Sequence, residues 1–162
     1  MCGHVGKEQE KMSIFPTKVL LATDGSEEAA LGARTATDLA EKTGSELHVV
    51  LVGLSVSYVG MGPVEIADIP APSQEELNEE VQELLDTQLK QIEAAGGTVT
   101  QAHLRVGRPD EEIVALAEEI GAGLIVVGSR GLGGVRRALM GSVSDSIVRH
   151  AHCPVLVVRK EK

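Results

Sequence analysis

Aromatic side chains are nearly absent from this chain of 162 residues, which has one Tyr, one Phe and no Trp. Proteins that bind single-stranded nucleic acid by base stacking need aromatic platforms, and this chain cannot supply them. Its formal net charge of −9 removes the basic face that phosphate backbones require, so nucleic acid is not an expected partner. Cysteine is equally scarce, and Cys2 and Cys153 are too few and too far apart in sequence to make a disulfide framework. No segment approaches the roughly 18 consecutive apolar residues of a membrane-spanning helix. The first thirteen residues mix charges without an apolar core, and Cys rather than Gly follows Met1, so neither a secretory signal nor a myristoylation site is read there. A cytoplasmic protein with no membrane partner is expected. Two phosphate-binding signatures are missing as well. There is no Gly-Lys-Ser/Thr of a Walker A loop, and the first apolar run ends in Asp24-Gly25-Ser26 instead of opening a Gly-x-Gly-x-x-Gly turn.

What the chain does contain is a strict alternation of short apolar runs and helical patterns. At 43% hydrophobic residues it is long enough to bury one ordinary core. Lys18–Thr23 reads as a buried strand, and Ser26 as the N-cap of an alanine-rich helix with Ala29, Ala33, Ala36, Leu39 and Ala40 facing inward. Thr43-Gly44 stops that helix, and 47–52 is a second apolar strand. Residues 53–72, with two Gly and three Pro after Gly53, show no period and read as a long loop. Ser73-Gln74-Glu75-Glu76 is a capping box that opens a helix with Leu77, Val81, Leu84, Leu85, Leu89 and Ile92 in its apolar stripe, ended by Gly96-Gly97. Thr98–Val106 reads as a third strand. Pro109 starts a helix that buries Ile113, Leu116, Ala117 and Ile120. A fourth strand runs over 123–127, a helix over Ser142–His150, and a last strand over 154–158. The expected fold is therefore α/β, a single-domain open five-stranded parallel sheet with helices on both faces, over residues 16–162. Residues 1–15 read as a flexible N-terminal arm.

The densest chemistry lies after the fourth strand, where Gly128-Ser129-Arg130-Gly131 is followed by nine residues and then Gly141-Ser142. Glycines let a backbone approach a phosphate, and a helix N-terminus adds free N–H groups and partial positive charge. Tight-turn packing is the competing explanation for these glycines. Open α/β sheets bind ligands beyond the C-terminal ends of strands, where strand order reverses. Asp24, Val52 and the glycine segment all fall at such ends. Arg130, Arg136 and Arg137 concentrate positive charge around the loop, and for Asp24 complementing a helix dipole is the alternative to a ligand role.

The pattern Gly-x2-Gly-x9-Gly-Ser resembles the universal stress protein family, in its ATP-binding subgroup. The likeness runs from about Thr17 to Arg159 through Val19–Ser26, Gly107-Arg108-Pro109, Val126–Gly131, Gly141–Ser144 and Pro154–Val158. It implies a Rossmann-like sheet of the adenine nucleotide alpha-hydrolase kind, with ATP (or ADP or AMP) and Mg2+ as ligands. By the same resemblance Asp24 would stand near the ribose and the phosphate-bound metal, flanked by Ala22 and Thr23. The backbone of Val52 would read the adenine edge. Val127, Gly128, Arg130 and Gly131 would line ribose and phosphates, and Gly141, Ser142, Val143 and Ser144 would cradle the phosphate tail. The resemblance also implies a homodimer joined through the strand at 154–158, an apolar run that reads as a sheet edge. No general base or arginine finger accompanies the loop, so a regulatory binder with at most slow hydrolysis is expected. A dimerisation module without nucleotide, and a nucleotide-using transferase, remain the alternatives. His48, His103, His150 and His152 are read as packing residues, Cys153 as a small buried hydrophobe, and Cys2 and His4 as adventitious metal binders on the arm.

Overall fold

A computed structural model describes residues 13–53, 73–130 and 140–161. Residues 54–72, which hold all but Gly53 of the expected loop, residues 131–139 and most of the expected N-terminal arm lie outside the described residues. Five parallel strands form one sheet in the order β3-β2-β1-β4-β5, comprising β1 (Lys18–Thr23), β2 (Glu46–Gly53), β3 (Gln101–Val106), β4 (Leu124–Gly128) and β5 (Val155–Val158). Helices α1 (Glu27–Thr43) and α2 (Gln74–Ala94) cover one face. Helices α3 (Pro109–Ile120) and α4 (Ser142–His150) cover the other. This is the expected α/β architecture.

Burial follows from strand alternation. Val19, Leu21, Val49, Leu51 and Val126 pack with Ala36, Ala40, Leu85 and Ile92 on the α1–α2 side. Leu20, Ala22, Val50, Ile125 and Val127 pack with Ile113, Leu116, Ala117 and Ile147 on the α3–α4 side. Central strands β1, β2 and β4 thus bury both faces, which is why they read as unbroken apolar runs.

The local stop and start signals act as their chemistry requires. Ser26 caps α1 by accepting the Ala29 N–H at 3.2 Å, and Gly44 closes it in the left-handed conformation at φ 66°. Both halves of the capping box at α2 are present, with the Glu76 N–H donating to Ser73 Oγ at 3.2 Å and the Ser73 N–H to Glu76 Oε2 at 2.8 Å. One polar residue interrupts the apolar stripe of α2. Gln88 is buried and accepts the Thr23 hydroxyl at 3.2 Å, so a side-chain hydrogen bond joins α2 to the end of β1. The third strand begins at Gln101 rather than Thr98. Its start is set by its partner, the first bond being from the Thr100 N–H to the Leu47 carbonyl at 2.8 Å.

Two histidines far apart in sequence meet on the α3 side of the sheet. His48 Nδ1 lies 3.1 Å from His103 Nε2, and His48 Nε2 lies 3.1 Å from Glu46 Oε2. The imidazoles are 14° from parallel with centroids 5.4 Å apart, close to the nitrogen separation plus two ring radii. The nitrogens therefore meet edge to edge as an N–H···N bond, not face to face. Burial, then the facing His48 and Arg105, push the His103 pKa below its ordinary 6.5, against a smaller opposing pull from Glu119. Folded protein thus holds this proton less tightly than unfolded chain. The stability it contributes is complete above about pH 6.5 and is lost as pH falls through the lower folded-state value. Urea midpoints are expected to drop between pH 7.5 and 5.5, and the slope to flatten in His103→Gln. An equal slope in the variant would contradict this origin.

Candidate functional site

Strand order reverses at β1, with β2 on one side and β4 on the other, and the crevice beyond such a reversal is the ligand position in open α/β sheets. The β1–β4 ladder ends at Leu21↔Val126, although β1 continues to Thr23 and β4 to Gly128. At the end of β1, Asp24 Oδ1 accepts the Ser26 N–H at 2.9 Å and fixes the turn into α1. The carboxylate of Asp24 is partly exposed, and one of its oxygens carries this turn.

The end of β4 is held against α1 at unusually close range. A Cβ on Gly128 would lie 3.0 Å from the Glu28 carbonyl carbon and 3.1 Å from the Ala29 nitrogen. A Cβ there would be tighter than ordinary contact and would push on helix backbone, so on this side the glycine serves helix–strand packing. The approach brings Glu28, in the first turn of α1, beneath the loop. Glu28 Oε2 accepts the Arg130 N–H at 2.7 Å and a short bond from the Ser129 hydroxyl. Ser129 is buried, donates its N–H to the Val158 carbonyl at 2.8 Å, and receives the Gly141 N–H on its own carbonyl at 2.6 Å.

Helix α4 starts at Gly141 without a side-chain cap, unlike α1 and α2. The N–H groups of Ser142, Val143 and Ser144 have no intrahelical carbonyl to bond, since the Asp145 N–H is the first to close on Gly141. Ser144 Oγ donates to the carbonyls of Ser129 at 3.0 Å and Gly141 at 3.1 Å, which ties the first turn to the loop. Gly141 has an ordinary φ of −71°, so its need is spatial. A Cβ there would sit 3.3 Å from the Ser129 oxygen and 3.6 Å from Arg130 Cα. Uncapped N–H groups and the helix dipole make this end suited to an anion.

The expected site residues separate into groups. Asp24, Gly128, Arg130, Gly141, Ser142, Val143 and Ser144 belong to the β1, β4 and α4 ends just described. Ala22, Val52 and Val127 lie on the α3–α4 side of the sheet. The Thr23 side chain turns to the other face and bonds Gln88. Gly131, Arg136 and Arg137 lie outside the described residues, as do Cys2 and His4. His150 and His152, expected as packing residues, are exposed and instead sit at hydrogen-bond distance from carbonyls, His150 Nδ1 2.8 Å from the Ser146 oxygen and His152 Nε2 3.1 Å from that of Ala122. Cys153 is only half-buried, because β5 is a sheet edge, and burial raises its thiol pKa. Glu28 and Ser129 were not among the expected ligand residues. Ser129 had a signal in its place between two glycines, whereas nothing local marks Glu28. Among the described residues no group of three His, Cys, Asp or Glu side chains can hold a metal ion. A single carboxylate with substrate phosphates is nevertheless a usual Mg2+ environment, and Asp24 fits that donor set. No helix is long and apolar enough to cross a membrane among these residues.

Fold and site define a doubly wound α/β protein with an uncapped helix end beside its switch point. Residues 16–159 match the model of the Universal stress protein family, and the chain belongs to that family. It is 35% identical over 148 residues to universal stress protein MJ0531 of Methanocaldococcus jannaschii, covering 90% of this chain and 83% of the relative. The solved structure of hypothetical protein MJ0577 is 27% identical with a TM-score of 0.73, over 92% of this chain and 99% of that one. The universal stress protein from Archaeoglobus fulgidus in complex with dAMP is 25% identical with a TM-score of 0.62, over 90% and 99%.

The Gly128 contact yields a stability prediction. Gly128→Val forces a branched side chain against helix backbone and is expected to cost about 1–3 kcal/mol, read as a lower urea midpoint. An unchanged midpoint would mean that α1 withdraws without penalty.

Proposed function

We propose that this protein binds an adenine nucleotide, ATP together with Mg2+, across the ends of β1, β2 and β4, and acts as a nucleotide-dependent regulatory homodimer in the stress response. The observation that carries this reading is the uncapped α4 N-terminus, whose Gly141 packs on Ser129 beside the β1–β4 crevice. The dAMP complex of the A. fulgidus relative supports an adenine nucleotide as the ligand class. The phosphates would meet the N–H groups of Ser142, Val143 and Ser144, with Asp24 as the protein's carboxylate toward the Mg2+. Val52 and Ala22 would border the base, and Val127, Gly128, Arg130 and Gly131 the ribose and phosphates. Mg2+ neutralises phosphate charge in a protein whose own net charge is −9.

The carboxylates near the crevice are engaged in holding backbone, Asp24 on Ser26 and Glu28 on Arg130. That arrangement suits a cradle with at most slow hydrolysis. Strand β5, apolar and paired only with β4 in the described sheet, offers the edge for a second copy.

Mass spectrometry of protein denatured as purified is expected to release adenine nucleotide, and Mg-ATP added to stripped protein to give calorimetric heat with negligible turnover. Gly141→Val should abolish that heat while circular dichroism stays native. Undiminished affinity in the variant would refute the placement of the phosphates, and rapid turnover would refute the binder.

A further inference from the structure

We propose that Glu28 is the positioning residue of the anion site, an inference that rests on the nucleotide reading above. Every polar atom of buried Ser129 is engaged. Its N–H donates to Val158, its hydroxyl to Glu28, and its carbonyl receives the Gly141 N–H and the Ser144 hydroxyl. The residue thus joins β5, α1 and α4. Of these three ties, the one to α1 is the only one made by an ionisable side chain, and the same carboxylate oxygen also holds the Arg130 N–H at 2.7 Å. Charge-assisted bonds of this kind are shorter and stronger than neutral ones.

The Glu28 backbone packs closely on Gly128, where an added Cβ would lie 3.0 Å from the Glu28 carbonyl carbon, and its carboxylate is held by the Ser129 hydroxyl and the Arg130 N–H. Position therefore passes from the capped first turn of α1 to Ser129, and from the Ser129 carbonyl to Gly141 and the first turn of α4. Among the described residues Glu28 hydrogen-bonds Ser129 and Arg130 and not the first turn of α4. It acts by holding the loop so that the free N–H groups converge. The neighbouring Glu27 provides an internal comparison. It is a surface acid of the same turn that pairs with Lys160 at 2.9 Å and makes no bond to the loop.

The test compares Glu28→Ala, Glu28→Gln and Glu27→Ala in the full chain, by Mg-ATP calorimetry and by amide NMR of ligand-free protein. Glu28→Ala is expected to weaken Mg-ATP roughly tenfold or more, as loss of an outer partner does at other ligand sites. It should also shift the Arg130 and Gly141 amides and speed their hydrogen exchange. Glu28→Gln, which keeps an acceptor and loses the charge, should fall between wild type and Glu28→Ala and covers the case in which the alanine variant does not fold. Glu27→Ala should bind within about twofold of wild type. If removal of negative charge were all that mattered, both alanine variants would bind more tightly, and that result overturns the proposal. Unchanged affinity in a folded Glu28 variant overturns it too. Absence of any Mg-ATP heat in wild type would remove the nucleotide reading alone. The clamp would then be judged by the amides, moved if it exists and unmoved if it does not.

Discussion

The close approach of α1 to the end of β4 is the constraint on which the rest of the site depends. Sheet and helix backbones approach closely at Gly128, where a Cβ would lie only 3.0–3.1 Å from α1 atoms. Because of it the first turn of α1 lies beneath the loop that follows β4, and a carboxylate from one element can hold the backbone of another that is 102 residues away in sequence. The loop in turn sets the start of α4. A packing requirement in the core thereby determines the geometry of a polar surface feature.

The electrostatics of that feature are local. A protein of net charge −9 repels anions at long range, and screening at physiological salt confines that repulsion to about 8 Å. Within this distance, oriented N–H groups and the dipole of α4 favour an anion without a cluster of basic side chains. The same end is left without the serine cap that α1 and α2 carry, so its donors are available to a ligand.

The fold was legible because its signals are local. Gly44, the Ser73–Glu76 box, Pro109 and the bounds of α4 each follow from the chemistry of two to four neighbouring residues. The candidate site was legible in part, since the glycines after a buried strand and the Gly-Ser helix start stand where their spacing placed them, at the β4 end and the α4 N-cap. What stayed hidden depends on contacts between distant segments. The His48–His103 bond follows from the β2–β3 register, the buried Gln88 from its meeting with Thr23, and the role of Glu28 from the position of α1. Gly128 illustrates the limit. Its type marked a close approach, and only the folded chain shows that α1 is what approaches on one side. The late start of β3 has the same cause, because an edge strand begins where its partner offers a hydrogen bond.

A groove of about 490 Å³ between α1 and α2, lined in part by Ala33, Arg34, Thr37, Gln88 and Ile92, is the alternative location for a small ligand. The two places lie at different parts of the molecule, so a titration of labelled protein with Mg-ATP, followed residue by residue through amide NMR, separates them. The account predicts that the amides of Asp24, Val52, Ser129, Arg130 and Gly141–Ser144 move together and saturate with one affinity. Shifts confined to the groove residues, or none at all, would contradict it.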